Sequence, residues 1–202
     1  MPKLTRSFYR NPDTPQIARL LLGKYLCTRI DGILTAGKIV ETEAYQAPAD
    51  KASHAYGNRR TARTEVMFWD GGTAYVYLCY GIHHLFNVVT GKKEQAHAVL
   101  IRGLEPTDGI DEMLLRRNMS KLQSRISAGP GTLSQALGIH KSMTGLDLTA
   151  SNSPIWLEDR GRKVSAEDII ASPRVGIDYA EEWIEKPWRF RIKGNKYCSP
   201  AK

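Results

Sequence analysis

The dipeptide Asp31-Gly32 limits the fold more than any other feature of this chain. It separates two runs rich in apolar and β-branched residues, 24–29 and 34–45. An Asp-Gly pair in that setting supplies the left-handed backbone that a tight hairpin requires. Two antiparallel strands are therefore expected, and the second of them is unusual. Read at period two, it puts Ile39, Glu41, Glu43 and Tyr45 on one side and Lys38, Val40, Thr42 and Ala44 on the other. An unpaired carboxylate set against a core is costly. A strand that carries Glu43 beside Tyr45 points to a pocket.

A second hairpin is expected further on. In 73–79, Ala74, Val76 and Leu78 alternate with Thr73, Tyr75, Tyr77 and Cys79, and Tyr80-Gly81 forms the turn, which leaves Tyr80 at the tip. The return strand, 85–89, has one polar residue, Asn87, which must find partners or face a pocket. An apolar strand over 96–102 ends in Arg102, on the face of Leu100, as a paired charge near a buried site would. Tyrosine is a good strand former, and any one of these would pass as scaffold. Tyr45, Tyr75, Tyr77 and Tyr80 gathered around one carboxylate are harder to explain that way. His54 lies in a polar stretch, 46–66, that reads as a functional loop with a short helix over 50–54.

The remaining elements read as support. Thr14-Pro15 opens an amphipathic helix that stops at Gly23. A helix is expected over 106–118 with Ile110, Met113 and Leu114 inward, and another from Gly129-Pro130 to Gly138. A short strand over 154–157, a capping box at Ser165 to Asp168 opening a helix, an irregular segment at Arg174-Val175-Gly176 and a last strand over 188–192 complete the chain. The expectation is a single α+β domain over 1–202, built on a curved, mostly antiparallel β-sheet flanked by helices.

With 42% hydrophobic and 25% charged residues the composition is that of a globular protein, and no run approaches the ~20 apolar residues of a membrane span. Met1 to Arg6 has no apolar stretch behind its charges, so a cytoplasmic location is expected. Cys27, Cys79 and Cys198 are widely spaced and odd in number, which argues against a disulfide framework or structural zinc. Adjacent strand residues such as His83-His84 point to opposite faces, so no metal and no cofactor are expected. A net charge of +8 favours a polyanionic partner. The basic residues are spread along the chain rather than gathered in a tail.

The strings Val40-Glu41-Thr42-Glu43-Ala44-Tyr45, Ser53-His54-Ala55, Met67-Phe68, Tyr75-Val76-Tyr77, Tyr80-Gly81 and Asn87, followed by Arg102 and Arg174-Val175-Gly176, resemble the alkyladenine DNA glycosylase family. These are the methylpurine, or 3-methyladenine, glycosylases of the mammalian type. The resemblance runs in register from about Arg10 to about Gly194 and does not extend to Ile82-His83-His84. It implies a monofunctional enzyme of base excision repair. Such an enzyme flips alkylated or deaminated purines (3-methyladenine, 7-methylguanine, hypoxanthine, ethenoadenine) out of double-stranded DNA, hydrolyses the N-glycosidic bond and leaves an abasic site. By resemblance, Glu43 is the general base for the attacking water, which Arg102 and the backbone carbonyl of Val175 also hold. Tyr45 and Tyr77 flank the flipped base. His54 and Leu100 line its pocket, and Asn87 disfavours the exocyclic amino group of normal guanine. Tyr80, at the tip of a protruding hairpin, is the DNA-intercalating wedge.

Glu41 reads as structural, because a cationic base needs no acid to leave. No lysine matches a catalytic position in the family, so no lyase step is expected. A monomer associated with the nucleoid through DNA is the expected state. Two other readings compete. A non-catalytic DNA-binding module of the same fold leaves the carboxylate of Glu43 beside a phosphate track without explanation. A carbohydrate or nucleoside glycosidase using Glu41 and Glu43 would need carboxylates flanking the scissile bond, and residues two apart on one strand lie side by side.

Overall fold

The computed structural model describes residues 1–200. Asp31 and Gly32 take φ of 51° and 81° and close the hairpin between β1 (Tyr25–Ile30) and β2 (Ile33–Gln46). β2 is the spine of the sheet. Along one edge it pairs with β5 (His97–Asp108). Along the other edge its first half pairs with β1, and Glu41 to Glu43 pair with β8 (Arg189–Ile192). β3 (Ala74–Cys79) and β4 (His83–Thr90) form the second hairpin, and β4 joins β5. The order is β3-β4-β5-β2-β1-β6, with β6 spanning Ile155–Glu158 and β7 (Ile169–Ser172) lying outside β8. Every pairing is antiparallel. Register shifts near Ala36, Glu41 and Thr42 interrupt the β2/β5 ladder, and such bulges bend a sheet and raise its twist.

One face of this sheet carries the main core. Val76, Phe86, Val88, Val99, Ile101 and Ala44 pack there with Ile17, Ala18 and Leu21 of α2 (Thr14–Leu21) and with Leu133, Ala136 and Leu137 of α4 (Pro130–Leu137). The cap of α2 is Asp13, one residue before Thr14, and its carboxylate accepts from the Gln16 amide at 2.9 Å. The Thr42 hydroxyl donates to the Ala18 carbonyl at 2.9 Å and ties α2 to β2.

Several expectations are corrected. The helix expected over 106–118 is only Ile110–Arg116, α3, because 106–108 complete β5 opposite Ala36 and Gly37. Pro106 is tolerated where a register shift interrupts the ladder, and Gly109, at φ 67°, separates strand from helix. No helix forms over 50–54. Those residues make turns around Asp50, whose carboxylate accepts from the amides of Gln46 and Ala52. Ser165 makes no side-chain cap; one 3-10 turn, Ala166–Asp168, leads directly into β7. A short α1 (Arg6–Tyr9) was not foreseen. Among the described residues no helix is long and apolar enough to cross a membrane, and Cys27, Cys79 and Cys198 are free.

Candidate active site

The other face of the sheet builds a pocket by register alone. Tyr75 on β3 stands opposite Asn87 on β4, Asn87 opposite Leu100 on β5, Leu100 opposite Glu43 on β2, and Glu43 opposite Arg189 on β8. Directly opposed residues of an antiparallel sheet share a face. Five strands therefore contribute one row, and Tyr45, Tyr77 and Arg102 lie two residues along on the same side. Above the row is a cavity of about 480 Å³ lined by Tyr45, His54, Tyr77, Asn87, Leu100 and Arg102. Tyr75, Arg63, Met67 and Tyr179 line it too, and Val175, Gly176 and Ile177 form one lip.

Glu43 is completely buried and is not itself among the lining residues. Its three partners are. The Tyr45 hydroxyl donates to Oε2 at 2.8 Å, Arg102 Nη1 donates to Oε2 at 3.3 Å, and the Val175 amide donates to Oε1 at 2.8 Å. The carboxylate thus lies one layer behind the cavity wall. At Val175 the backbone N–H is the group that meets Glu43. Burial, followed by the charge of Glu43, drives the Tyr45 phenol far above its ordinary range, so Tyr45 is a hydrogen-bond donor at neutral pH. Burial opposes the charge on Arg102, but Glu43 and Glu41 outweigh it and hold the guanidinium protonated.

Tyr45 is fixed from behind as well. Arg174 lies over its ring at 4.7 Å and over that of Trp188 at 5.3 Å. Arg174 itself is held by Asp50 in a fully buried fork at 2.6 and 2.8 Å, and by the Ala44 carbonyl at 2.8 Å. This bidentate pair locks the 174–177 lip to the loop that carries His54.

His54 is neutral and its tautomer is set. Arg63 Nη2 is 3.2 Å from Nε2 and can only donate, so Nε2 is the acceptor. Nδ1 then holds the proton and donates to the Tyr75 hydroxyl at 2.8 Å. Burial, reinforced by Arg63, brings the imidazole down to about 4. Its ring meets Tyr77 edge-on at 4.7 Å, and Arg63 lies over the same tyrosine at 4.8 Å. The amide nitrogen of Asn87 donates to the backbone carbonyls of Tyr75 and Leu85 at 3.1 and 3.3 Å, which gives a buried polar residue its partners and fixes its orientation.

β4 pairs with β5 only from Asn87 onward, so residues 83–86 of the β3/β4 hairpin part from β5, which continues along β2 to Asp108. The turn there is three residues, 80–82, with Tyr80 at φ 51° and 92% exposed and Ile82 71% exposed. Leu78, expected to face inward with Val76, is 40% exposed, because it lies next to the turn where β4 has parted from β5. His84 stacks edge-on against His140 at 5.2 Å. Among the described residues no three His, Cys, Asp or Glu side chains are grouped to hold a metal ion.

The structure brings Glu43, Tyr45, His54, Tyr77, Asn87, Leu100, Arg102 and Val175 to one place, and sets Tyr80 on the rim of the same cavity. Arg63 and Asp50 belong to the site without having been assigned to it from the sequence. The only signal for either was position, since both fall in the polar loop around His54.

The family model described as Methylpurine-DNA glycosylase (MPG) matches residues 7–196. A protein of Clostridium perfringens (strain SM101 / Type A) named "Putative 3-methyladenine DNA glycosylase" is 47% identical over 204 residues, which is 98% of this chain and 98% of that protein. A protein of the same name from Bacillus cereus (strain G9842) is 48% identical, over 96% of this chain and 97% of its own length.

Proposed function

The chain belongs to the methylpurine-DNA glycosylase family, and we propose that it is a monofunctional glycosylase that removes alkylated or deaminated purines from duplex DNA by water attack, with Glu43 as general base. The observation that carries this reading is a fully buried carboxylate whose three hydrogen-bond donors all line an aromatic cavity. A carboxylate in that position has no packing purpose and would repel a phosphate track.

The target nucleotide has to leave the stack before its glycosidic bond can be reached, at a cost of a few kcal/mol. Tyr80, exposed at the turn of the β3/β4 hairpin, fills the gap as a wedge in the minor groove. The extruded purine lies between Tyr45 and Tyr77, with His54, Asn87 and Leu100 around its edge. Purines carrying a positive charge gain cation–π attraction from these rings, about 0.5–2 kcal/mol. Alkylation also makes the base a better leaving group. As the bond lengthens, the sugar gains oxocarbenium character, and water must meet the anomeric carbon on the face opposite the base. Arg102, whose Nη1 is 3.3 Å from Glu43, is placed to hold that water while the carboxylate takes its proton. The Val175 amide aims the carboxylate through its other oxygen. Among the described residues no lysine lines this cavity to form a Schiff base, and the product is an abasic site in an intact strand. The substrate is chromosomal DNA in the cytoplasm, and one copy of the chain is sufficient.

The test is single-turnover excision from a labelled duplex with one hypoxanthine or ethenoadenine, read with and without hot alkali. Strand breaks that appear only after alkali are expected from the wild type. In Glu43→Gln the rate should fall by about 10²–10⁴-fold, the range a positioned base contributes, while binding to the lesion duplex persists. Tight binding with no excision of any modified purine by the wild type would instead make the protein a non-catalytic DNA-binding module.

A further inference from the structure

Two carboxylates lie two residues apart on β2, and the proposed chemistry uses one of them. The other, Glu41, is also completely buried, and it is the more heavily held. Its Oε1 accepts from Arg102 Nε at 3.0 Å, Arg189 Nε at 2.7 Å and the Ser199 hydroxyl at 2.8 Å, and its Oε2 accepts from the Ser199 amide at 2.5 Å. Burial alone would raise its carboxyl, but Arg102, the Ser199 amide and Arg189 outweigh that and hold it below the usual range.

Arg102 is shared between the two carboxylates. Nε bonds Glu41 at 3.0 Å, Nη2 is 3.3 Å from the Ser199 hydroxyl, and Nη1 is 3.3 Å from Glu43. Charge-assisted N–H···O bonds settle at about 2.7–2.9 Å when nothing restrains them. The guanidinium thus bonds both carboxylates, and holds Glu41 more closely through Nε than Glu43 through Nη1.

We propose that Glu41 and Ser199 are positioning residues for base excision, holding Arg102 at a stand-off from Glu43 and making the segment that carries Ser199 part of the machinery. The proposal rests on Glu43 being the base. An arginine free to close on a carboxylate stabilises the anion and occupies its lone pairs, which weakens it as a proton acceptor. At the observed stand-off, Nη1 can still donate to a water and Glu43 can still take that water's proton.

Burial drives the phenols of Tyr45 and Tyr77 well above their ordinary range and pushes the Cys198 thiol up to about 11, so all three are neutral at physiological pH. Arg174 and Asp50, beyond Tyr45, form a closed pair. Paired directly with Glu41 and Glu43 are Arg102 and Arg189, while Arg63 across the cavity and Arg191 opposite Glu41 on β8 add further positive charge. Neutralising Glu41 leaves excess positive charge beside the point where the sugar becomes cationic.

The experiment uses full-length Glu41→Gln, Ser199→Ala and the conservative Ser199→Thr in single-turnover excision across pH, with lesion-duplex binding measured alongside. Glu41→Gln is expected to slow excision by about ten- to a hundredfold, the scale of a small misplacement, with duplex binding unchanged. Its acidic limb should move to lower pH, as expected when a carboxylate gains a closer cation. Ser199→Ala should move both quantities in the same direction by less, and Ser199→Thr should restore them. If Glu41→Gln does not fold, the two Ser199 variants decide the matter. A folded Ser199→Ala with wild-type rate and wild-type acidic limb overturns the proposal. So does a loss of rate that follows only the loss of folded protein while the limb stays in place. Absence of excision by the wild type is a different result, visible in the wild-type trace, and removes the reading of Glu43 itself.

Discussion

His54 shows how one side chain ties the pocket to the pH response of the whole fold. Its imidazole has an ordinary value of 6.5 and is brought down to about 4 by burial and by Arg63. Between those two values the unfolded chain takes up a proton that the folded protein refuses, so this residue's contribution to stability is intact above pH 6.5 and declines as pH falls toward 4. Carboxylates add their own slope, so the informative quantity is a difference. Urea unfolding of the wild type and His54→Asn between about pH 7 and pH 4.5 should show a shallower decline in the variant. The histidine also has a fixed role as an acceptor for Arg63 and a donor to Tyr75, an arrangement that protonation would break.

At the scale of elements, the β3/β4 hairpin has two ends with different duties. Val76 and Phe86 are fully enclosed, whereas Tyr80 is 92% exposed and touches little of its own fold. Tyr80→Ala should therefore leave the thermal midpoint within about 2 °C of the wild type. In the same variant, the wedge role proposed for Tyr80 predicts that excision from a paired duplex falls by about tenfold or more. Excision from a single-stranded oligonucleotide, which needs no gap filled, should be much less affected.

This hairpin and the one at Asp31-Gly32 were legible from the chain because their turns are written in adjacent residues and their faces at period two. The pocket-facing set of Glu43, Tyr45, Tyr77 and Asn87 was legible for the same reason. The helix expected over 106–118 was misread at its start, because Pro106 commonly opens helices and only the distant ladder with β2 keeps it in a strand. β7, four residues without alternation, carries no local signal at all. Arg174 finds Asp50 across 124 positions, and Ser199 finds Glu41 across 158. No periodicity can announce a partner at such separations.

For the whole molecule, the net charge of +8 sets the conditions under which the chain finds DNA. Each phosphate neutralised releases counterions, so affinity for undamaged duplex should fall steeply and linearly on a log–log plot against salt, with a slope of about −0.9 per phosphate contact. The single-turnover rate from a saturated complex should change little over the same range, because the carboxylates and guanidiniums around Glu43 are shielded from salt by burial. Titration of duplex binding and of the saturated rate in parallel would separate the two.

The sheet's two faces carry different burdens: Val76, Phe86, Val88, Val99 and Ile101 hold the core with α2 and α4, and Tyr75, Tyr77, Asn87, Leu100 and Arg102 face the cavity. These strands thus alternate between residues that hold the protein together and residues that line the proposed substrate cavity. A lineage, or an engineer, can reshape the cavity at positions such as Tyr75 and Leu100 while the intervening positions keep the fold intact.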